Sequence, residues 1–105
     1  MAGAVLIADD EKNVAEGLQM ILSEDGYDAD MATDGEEAWE KVREGDFGVV
    51  LADLNMPKID GLELFAKMRD AGIRSEFIVI TGEASVDSAV EAMRHGAYDY
   101  LTKPL

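Results

Sequence analysis

The sequence predicts an α/β protein built on a parallel sheet of five strands. Two patterns carry that expectation. Short apolar runs alternate with segments of helical spacing along all 105 residues, and three of the runs are apolar at nearly every position, as strands buried on both faces should be. Each of the four helical segments also stops at a glycine, the residue that most readily adopts the left-handed conformation past a helix end, and a strand follows each time.

The elements follow in order. AVLIA (Ala4–Ala8) is a buried strand. Val14, Leu18, Ile21 and Leu22 mark a helix that Gly26 ends. YDADMA (Tyr27–Ala32) is a short strand whose alternating carboxylates place it at an exposed edge. Thr33 and Glu36 have capping-box spacing and open a helix through Ala38 and Val42 that ends at Gly45. FGVVLAD is the third strand. Asp60 caps a helix carrying Leu64, Phe65 and Met68, ended by Gly72. FIVIT (Phe77–Thr81) is the fourth strand. Ser85 caps a helix with Val86, Ala89, Val90 and Met93 inside, ended by Gly96, and YDYLTKPL supplies the fifth strand. Right-handed crossovers put every strand's C-terminal end on one rim.

Composition narrows the function. Nine basic against 23 acidic residues give a formal net charge of −14. That field repels phosphate backbones, so no direct nucleic-acid binding is expected, and it attracts cations and basic surfaces. No cysteine is present, which removes disulfides and thiolate metal sites and suits a reducing cytosol. The N-terminal MAGAVLIADD lacks a basic n-region, and no run approaches the ~20 apolar residues that span a bilayer.

The rim is where the chemistry falls. Asp9 and Asp10 follow strand 1, Asp53 ends strand 3, Thr81 ends strand 4 and Lys103 follows strand 5. Parallel sheets of this kind bind ligands at that edge. Three converging carboxylates repel one another unless a cation sits among them, and a hard divalent ion such as Mg²⁺, which takes oxygen ligands and keeps several waters, meets that need.

These motifs, Asp9-Asp10, DLNMPKIDG around Asp53, ITGEAS with Thr81 and AYDYLTKP with Lys103, resemble those of two-component response-regulator receiver domains. The resemblance runs from Val5 to Pro104, and AVEAMRHGAYDYLTKP is similar to receivers of sigma-54-dependent transcription activators. It implies a doubly wound, flavodoxin-like (CheY-like) sheet of order 2-1-3-4-5. It also implies a phosphorylation-dependent switch rather than an enzyme with a separate substrate. Asp53 would accept a phosphoryl group from a phosphohistidine of a sensor histidine kinase. Asp10 and Asp53 would bind Mg²⁺ (or Mn²⁺) directly, Asp9 through water, with the backbone carbonyl of Asn55 as a further ligand. Thr81 and Lys103 would contact the phosphoryl oxygens, and Tyr100 would move with Thr81. Asn55 and Glu83 would flank the site. Partners implied are the kinase, a C-terminal effector domain controlling transcription and a possible second copy, all in the cytoplasm, with no membrane contact. The Lys103–Pro104 bond is expected to be cis.

On this reading Asp53 is bare because it is a nucleophile: a close salt-bridge partner would block the donor. Pro57 and Gly61 supply turn chemistry after the strand. His95 sits in a helix's last turn, where positive charge is favourable, and Trp39 is half-buried packing. Three other readings compete for these residues. A haloacid-dehalogenase-type phosphatase needs a second Asp two positions after the nucleophile, where Asn55 stands. A flavin protein needs a Ser/Thr/Gly-rich loop where ADDEK stands. The alternative within the resemblance is a pseudo-receiver that binds partners without taking phosphate.

The domain is expected to span 1–105 and to lack the family's fifth helix. With order 2-1-3-4-5, helix 1 covers one face alone and helices 2 to 4 cover the other. One helix cannot cover five strands, so part of the first face is expected to be bare.

Overall fold

The structure, a computed structural model, describes residues 4–82 and 86–103. Five strands, β1 (Ala4–Ala8), β2 (Asp28–Ala32), β3 (Val49–Asp53), β4 (Glu76–Thr81) and β5 (Asp99–Thr102), alternate with four helices, α1 (Lys12–Glu24), α2 (Gly35–Glu44), α3 (Gly61–Asp70) and α4 (Val86–Arg94). The strands form one sheet in the order β2-β1-β3-β4-β5, parallel throughout. This is the doubly wound arrangement the motifs implied. Glu83, the Ser85 cap and Pro104 lie outside the described residues, as do the side chains of Val86 and Ala89.

Alternation along the strands divides the interior into two cores. Leu6, Ala8, Val50, Ala52, Phe77 and Val79 pack against α2, α3 and α4. Val5, Ile7, Leu51 and Ile80 pack with Ala15, Leu18 and Leu22 of α1. The α1 face is covered further across the sheet than one helix suggests, because Ile80 on β4 is still buried. The bare part begins at β5, where Leu101 is 41 % exposed, and on α1, where Ile21 is 59 % exposed. A groove of about 440 Å³ runs along α1 past Val14, Leu18 and Ile21 to Lys103.

The acidic edge strand reads as predicted: Asp28 and Asp30 of β2 face solvent while Ala32 is buried. Lys41 of α2 bridges Asp30 at 3.2 Å. Gly26, Gly72 and Gly96 all take positive φ, but Gly45 does not. Its backbone is extended at φ −99°, and a Cβ there would lie 2.7 Å from the Phe47 ring. Gly45 is therefore a packing glycine rather than a left-handed stop.

The start of α2 also differs from the expected Thr33–Glu36 box. Asp34 is the N-cap, its Oδ1 accepting from Glu37 N at 2.8 Å, while the Thr33 N–H donates to Glu37 Oε1 at 2.8 Å. The box is displaced by one residue because Asp is at least as good a cap as Thr and Glu37 reaches back to Thr33. The Glu37 N–H holds the Asp34 carboxyl below its ordinary value. Its contribution is present above the usual carboxylate range and is lost as pH falls through the lowered folded-state value. Asp34→Ala is expected to cost about 1 kcal/mol in urea melts at neutral pH, and Thr33→Ala much less. Equal losses would return the cap to Thr33. At the start of α3 the predicted Asp60 cap is present as a full capping box with Glu63.

Candidate functional site

Parallel pairing brings four strand ends together. Asp9 follows β1, Asp53 and Thr81 are the last residues of β3 and β4, and Lys103 follows β5. Backbone bonds hold the ends in register: Asp9 N donates to Ala32 O at 3.0 Å, Leu54 N to Ile80 O at 3.2 Å and Lys103 N to Thr81 O at 2.8 Å. Asp9, Asp53 and Thr81 are buried; Asp10 is exposed. One carboxylate oxygen from each of Asp9, Asp10 and Asp53 lies within 4.8 Å of the others.

Asp53 is not bare. Lys103 Nζ donates to its Oδ2 at 2.9 Å, which corrects the expectation of an unpaired nucleophile. A buried carboxylate needs a charged or hydrogen-bonding partner, and the amine arrives from 50 residues away in sequence. The Asn55 N–H donates to Asp53 Oδ1 at 3.0 Å. Lys103 also reaches Asp9 Oδ1 at 3.4 Å and Glu11 Oε1 at 2.5 Å. Burial alone would lower the lysine pKa, but the bonds to Asp53, Glu11 and Asp9 outweigh it and raise it above its ordinary value. At Asp9 burial dominates and raises the carboxyl pKa, against the lowering effect of the Glu11 N–H that donates to Oδ1 at 2.9 Å.

The donor set fits a hard divalent cation. Asp9 Oδ2 is fully buried and accepts no hydrogen bond, although Lys103 Nζ stands 3.2 Å away. An oxygen charge-paired but without a donor, beside two further carboxylates, has lone pairs suited to an oxygen-seeking ion.

Thr81 Oγ1 donates to Gly82 O at 2.9 Å. Tyr100 pairs with Val79, so Tyr100 and Thr81 point to the same sheet face on adjacent strands, and the ring is partly exposed. Gly61 serves close approach as well as turn chemistry: a Cβ there would lie 2.6 Å from Asp53 O, so the glycine lets α3 start against the end of β3. Gly35, which sequence reading missed, does the same for the loop after Asp53, with a virtual Cβ only 1.7 Å from Ile59 O and its N–H donating to Pro57 O at 3.2 Å. Glu11 was also missed as a site residue. Its signal was its place two residues after Asp9.

Two residues fall away from the site. His95 lies just past α4, exposed, 3.0 Å from Glu91 Oε1. Trp39 packs against the main core with Arg43 and Lys67 over its ring at 5.2 and 5.6 Å. Among the described residues no helix is long and apolar enough to cross a membrane.

Comparison with known proteins gives the same picture. A family model described as the response regulator receiver domain matches residues 5–105. The transcriptional regulatory protein ZraR of Klebsiella oxytoca is 40 % identical over 101 residues, covering 96 % of this chain and 23 % of that protein. The transcriptional regulatory protein DltR of Streptococcus agalactiae is 36 % identical over 100 residues, covering 95 % of this chain and 45 % of that protein. The chain thus spans less than half the length of these curated relatives. Among solved structures, FixJ-N superposes with a TM-score of 0.90 at 36 % identity, covering all of this chain and 84 % of that one. The Francisella response regulator 1452 receiver domain gives 0.90 at 33 % identity, covering 98 % and 85 %.

Proposed function

The chain belongs to the response regulator receiver domain family, and from that premise we propose that it is a phosphoryl switch with Asp53 as the acceptor. The observation that carries the reading is the convergence of Asp9, Asp10 and Asp53 at one strand edge with the Lys103 amine 2.9 Å from Asp53. In this reading an Asp53 oxygen attacks the phosphorus of a phosphohistidine on a sensor histidine kinase. The new O–P bond forms as the N–P bond breaks, and the imidazole nitrogen keeps the electron pair. Phosphoryl transfer depends mainly on positioning and charge neutralisation. Asp9, Asp10, Asp53 and the Asn55 carbonyl would hold Mg²⁺ or Mn²⁺, which when bound offsets charge on the phosphoryl oxygens. Lys103 and the Thr81 hydroxyl would contact those oxygens. Drawing Thr81 toward the phosphoryl group would vacate space for the Tyr100 ring on the same face, shifting a two-state equilibrium.

The switch would act in the cytoplasm on a C-terminal effector domain, with transcription as the output. The likeness of AVEAMRHGAYDYLTKP to receivers of sigma-54-dependent activators belongs to the same proposal. The relatives DltR and ZraR, both transcriptional regulatory proteins by name, support it.

Acetyl phosphate with Mg²⁺ is expected to add one phosphate to the chain, stable in acid, labile in base and absent with EDTA. Tyr100 ring resonances should shift in the same sample. An unchanged intact mass would overturn the reading; labelling without any change at Tyr100 would remove the switch but keep the acceptor.

A further inference from the structure

We infer that Glu11 is a positioning residue that holds the Lys103 amine at the mouth of the site when a divalent cation occupies the carboxylates, and so helps set cation affinity. The inference rests on the proposed reading of Asp9, Asp10 and Asp53 as the cation's ligands.

Glu11 stands at the N-cap of α1, yet its side chain makes no cap hydrogen bond. The shorter side chains of Ser, Thr, Asp and Asn in that place accept from a first-turn N–H; glutamate is not among the favoured caps. Here the carboxylate turns instead to Lys103 Nζ, its shortest contact at 2.5 Å. The other two partners of that amine, Asp9 and Asp53, are both members of the clustered triad. Glu11 alone lies outside it, and its side chain is 60 % exposed.

The charges then dictate an order. Without a cation, Lys103 neutralises Asp53 and Asp9 from a position 2.9 Å from Asp53 Oδ2. An ammonium and a divalent ion repel each other and compete for the same oxygens. When the cation enters, the amine must withdraw from the triad. A lysine whose side chain is only 18 % exposed needs a partner for its ammonium wherever it rests, and among the described residues Glu11 is the ion-pair partner left to it. Removing Glu11 costs the cation-free state one of three partners, but costs the cation-bound state the partner that remains. Cation affinity therefore falls. The effect runs through the lysine, so it should vanish when the lysine is gone.

The test is a double-mutant cycle on this chain, with Mg²⁺ affinity read by calorimetry for wild type, Glu11→Gln, Lys103→Met and the double variant. Glu11→Gln is expected to weaken Mg²⁺ about two- to fivefold, the scale of one exposed ion pair. In the Lys103→Met background the same substitution should leave affinity unchanged. Equal weakening in both backgrounds would mean that Glu11 acts only through its charge on the ion, and would overturn the positioning role. So would a Glu11→Gln affinity equal to wild type. If wild type itself binds no Mg²⁺, both the inference and the ligand assignment fall. Should Lys103→Met not fold, the ¹⁵Nζ resonance of Lys103 decides instead. It should stay hydrogen-bonded at saturating Mg²⁺ in wild type and lose that bond in Glu11→Ala, which leaves no acceptor there. Identical spectra would refute the proposal.

Discussion

Asp53→Asn is expected to take no phosphate from acetyl phosphate under conditions where the wild-type chain takes one. The substitution is nearly isosteric, and an amide oxygen can still accept the Asn55 N–H now held at 3.0 Å. What disappears is the anionic oxygen that would attack phosphorus. The neighbouring carboxylates are poor substitutes. Asp9 is buried, and its Oδ1 is engaged by the Glu11 N–H and by Lys103. Asp10 is exposed, and the Lys103 amine pairs with Asp9, Glu11 and Asp53 rather than with it. The fold should survive, because Lys103 keeps Asp9 and Glu11 as partners. Intact-mass spectra with circular dichroism of the same samples read both points. Equal labelling of a folded Asp53→Asn would place the acceptor elsewhere and sink the proposed mechanism.

Much of this was legible in the sequence, and the parts that were not share a cause. The elements follow from local signals: unbroken apolar runs in β1, β3 and β4, alternating acids in β2, and glycines at helix ends; the sheet order came from the likeness to receiver domains. Those signals reach only a few residues along the chain. The Thr33–Glu36 spacing was a valid local pattern, but Asp34–Glu37 is an equally valid one beside it, and only the placed backbone decides. Gly45 looked like Gly26, Gly72 and Gly96 because a packing glycine and a left-handed glycine are spelled the same. Asp53 looked bare because its partner arrives through the pairing of β5 with β4, a contact that no inspection near residue 53 reveals. The roles of Gly35 and Gly61 were hidden for the same reason. Each is defined by a carbonyl on another element, Ile59 O and Asp53 O. Glu11 carries no cap signal in the sequence, and its turn toward Lys103 became visible only once residues 11 and 103 were side by side.

The largest loss of stability from a single core truncation is expected at Phe77. Its ring is buried in the main core on β4 and stacks on Phe65 of α3 with centroids 4.5 Å apart and planes 17° from parallel. The Arg69 guanidinium stands over the Phe65 ring, 5.9 Å from its centroid, so the stack joins the sheet to α3. Phe77→Ala removes the buried ring and leaves a cavity that strands on both sides, β3 and β5, cannot close by moving. Such truncations cost about 3–5 kcal/mol, against a total of only ~5–15 kcal/mol for a domain. Phe77→Leu, which keeps most of the volume, should cost under about 1.5 kcal/mol. The difference between the two separates volume from mere apolarity. Phe77 lies four residues before Thr81 on the same strand, so the damage is expected to be global rather than confined to the site. Urea melts of the two variants decide it. A Phe77→Ala loss no larger than that of Phe77→Leu would mean that the core refills and that the contact between β4 and α3 is not what holds the sheet to this layer.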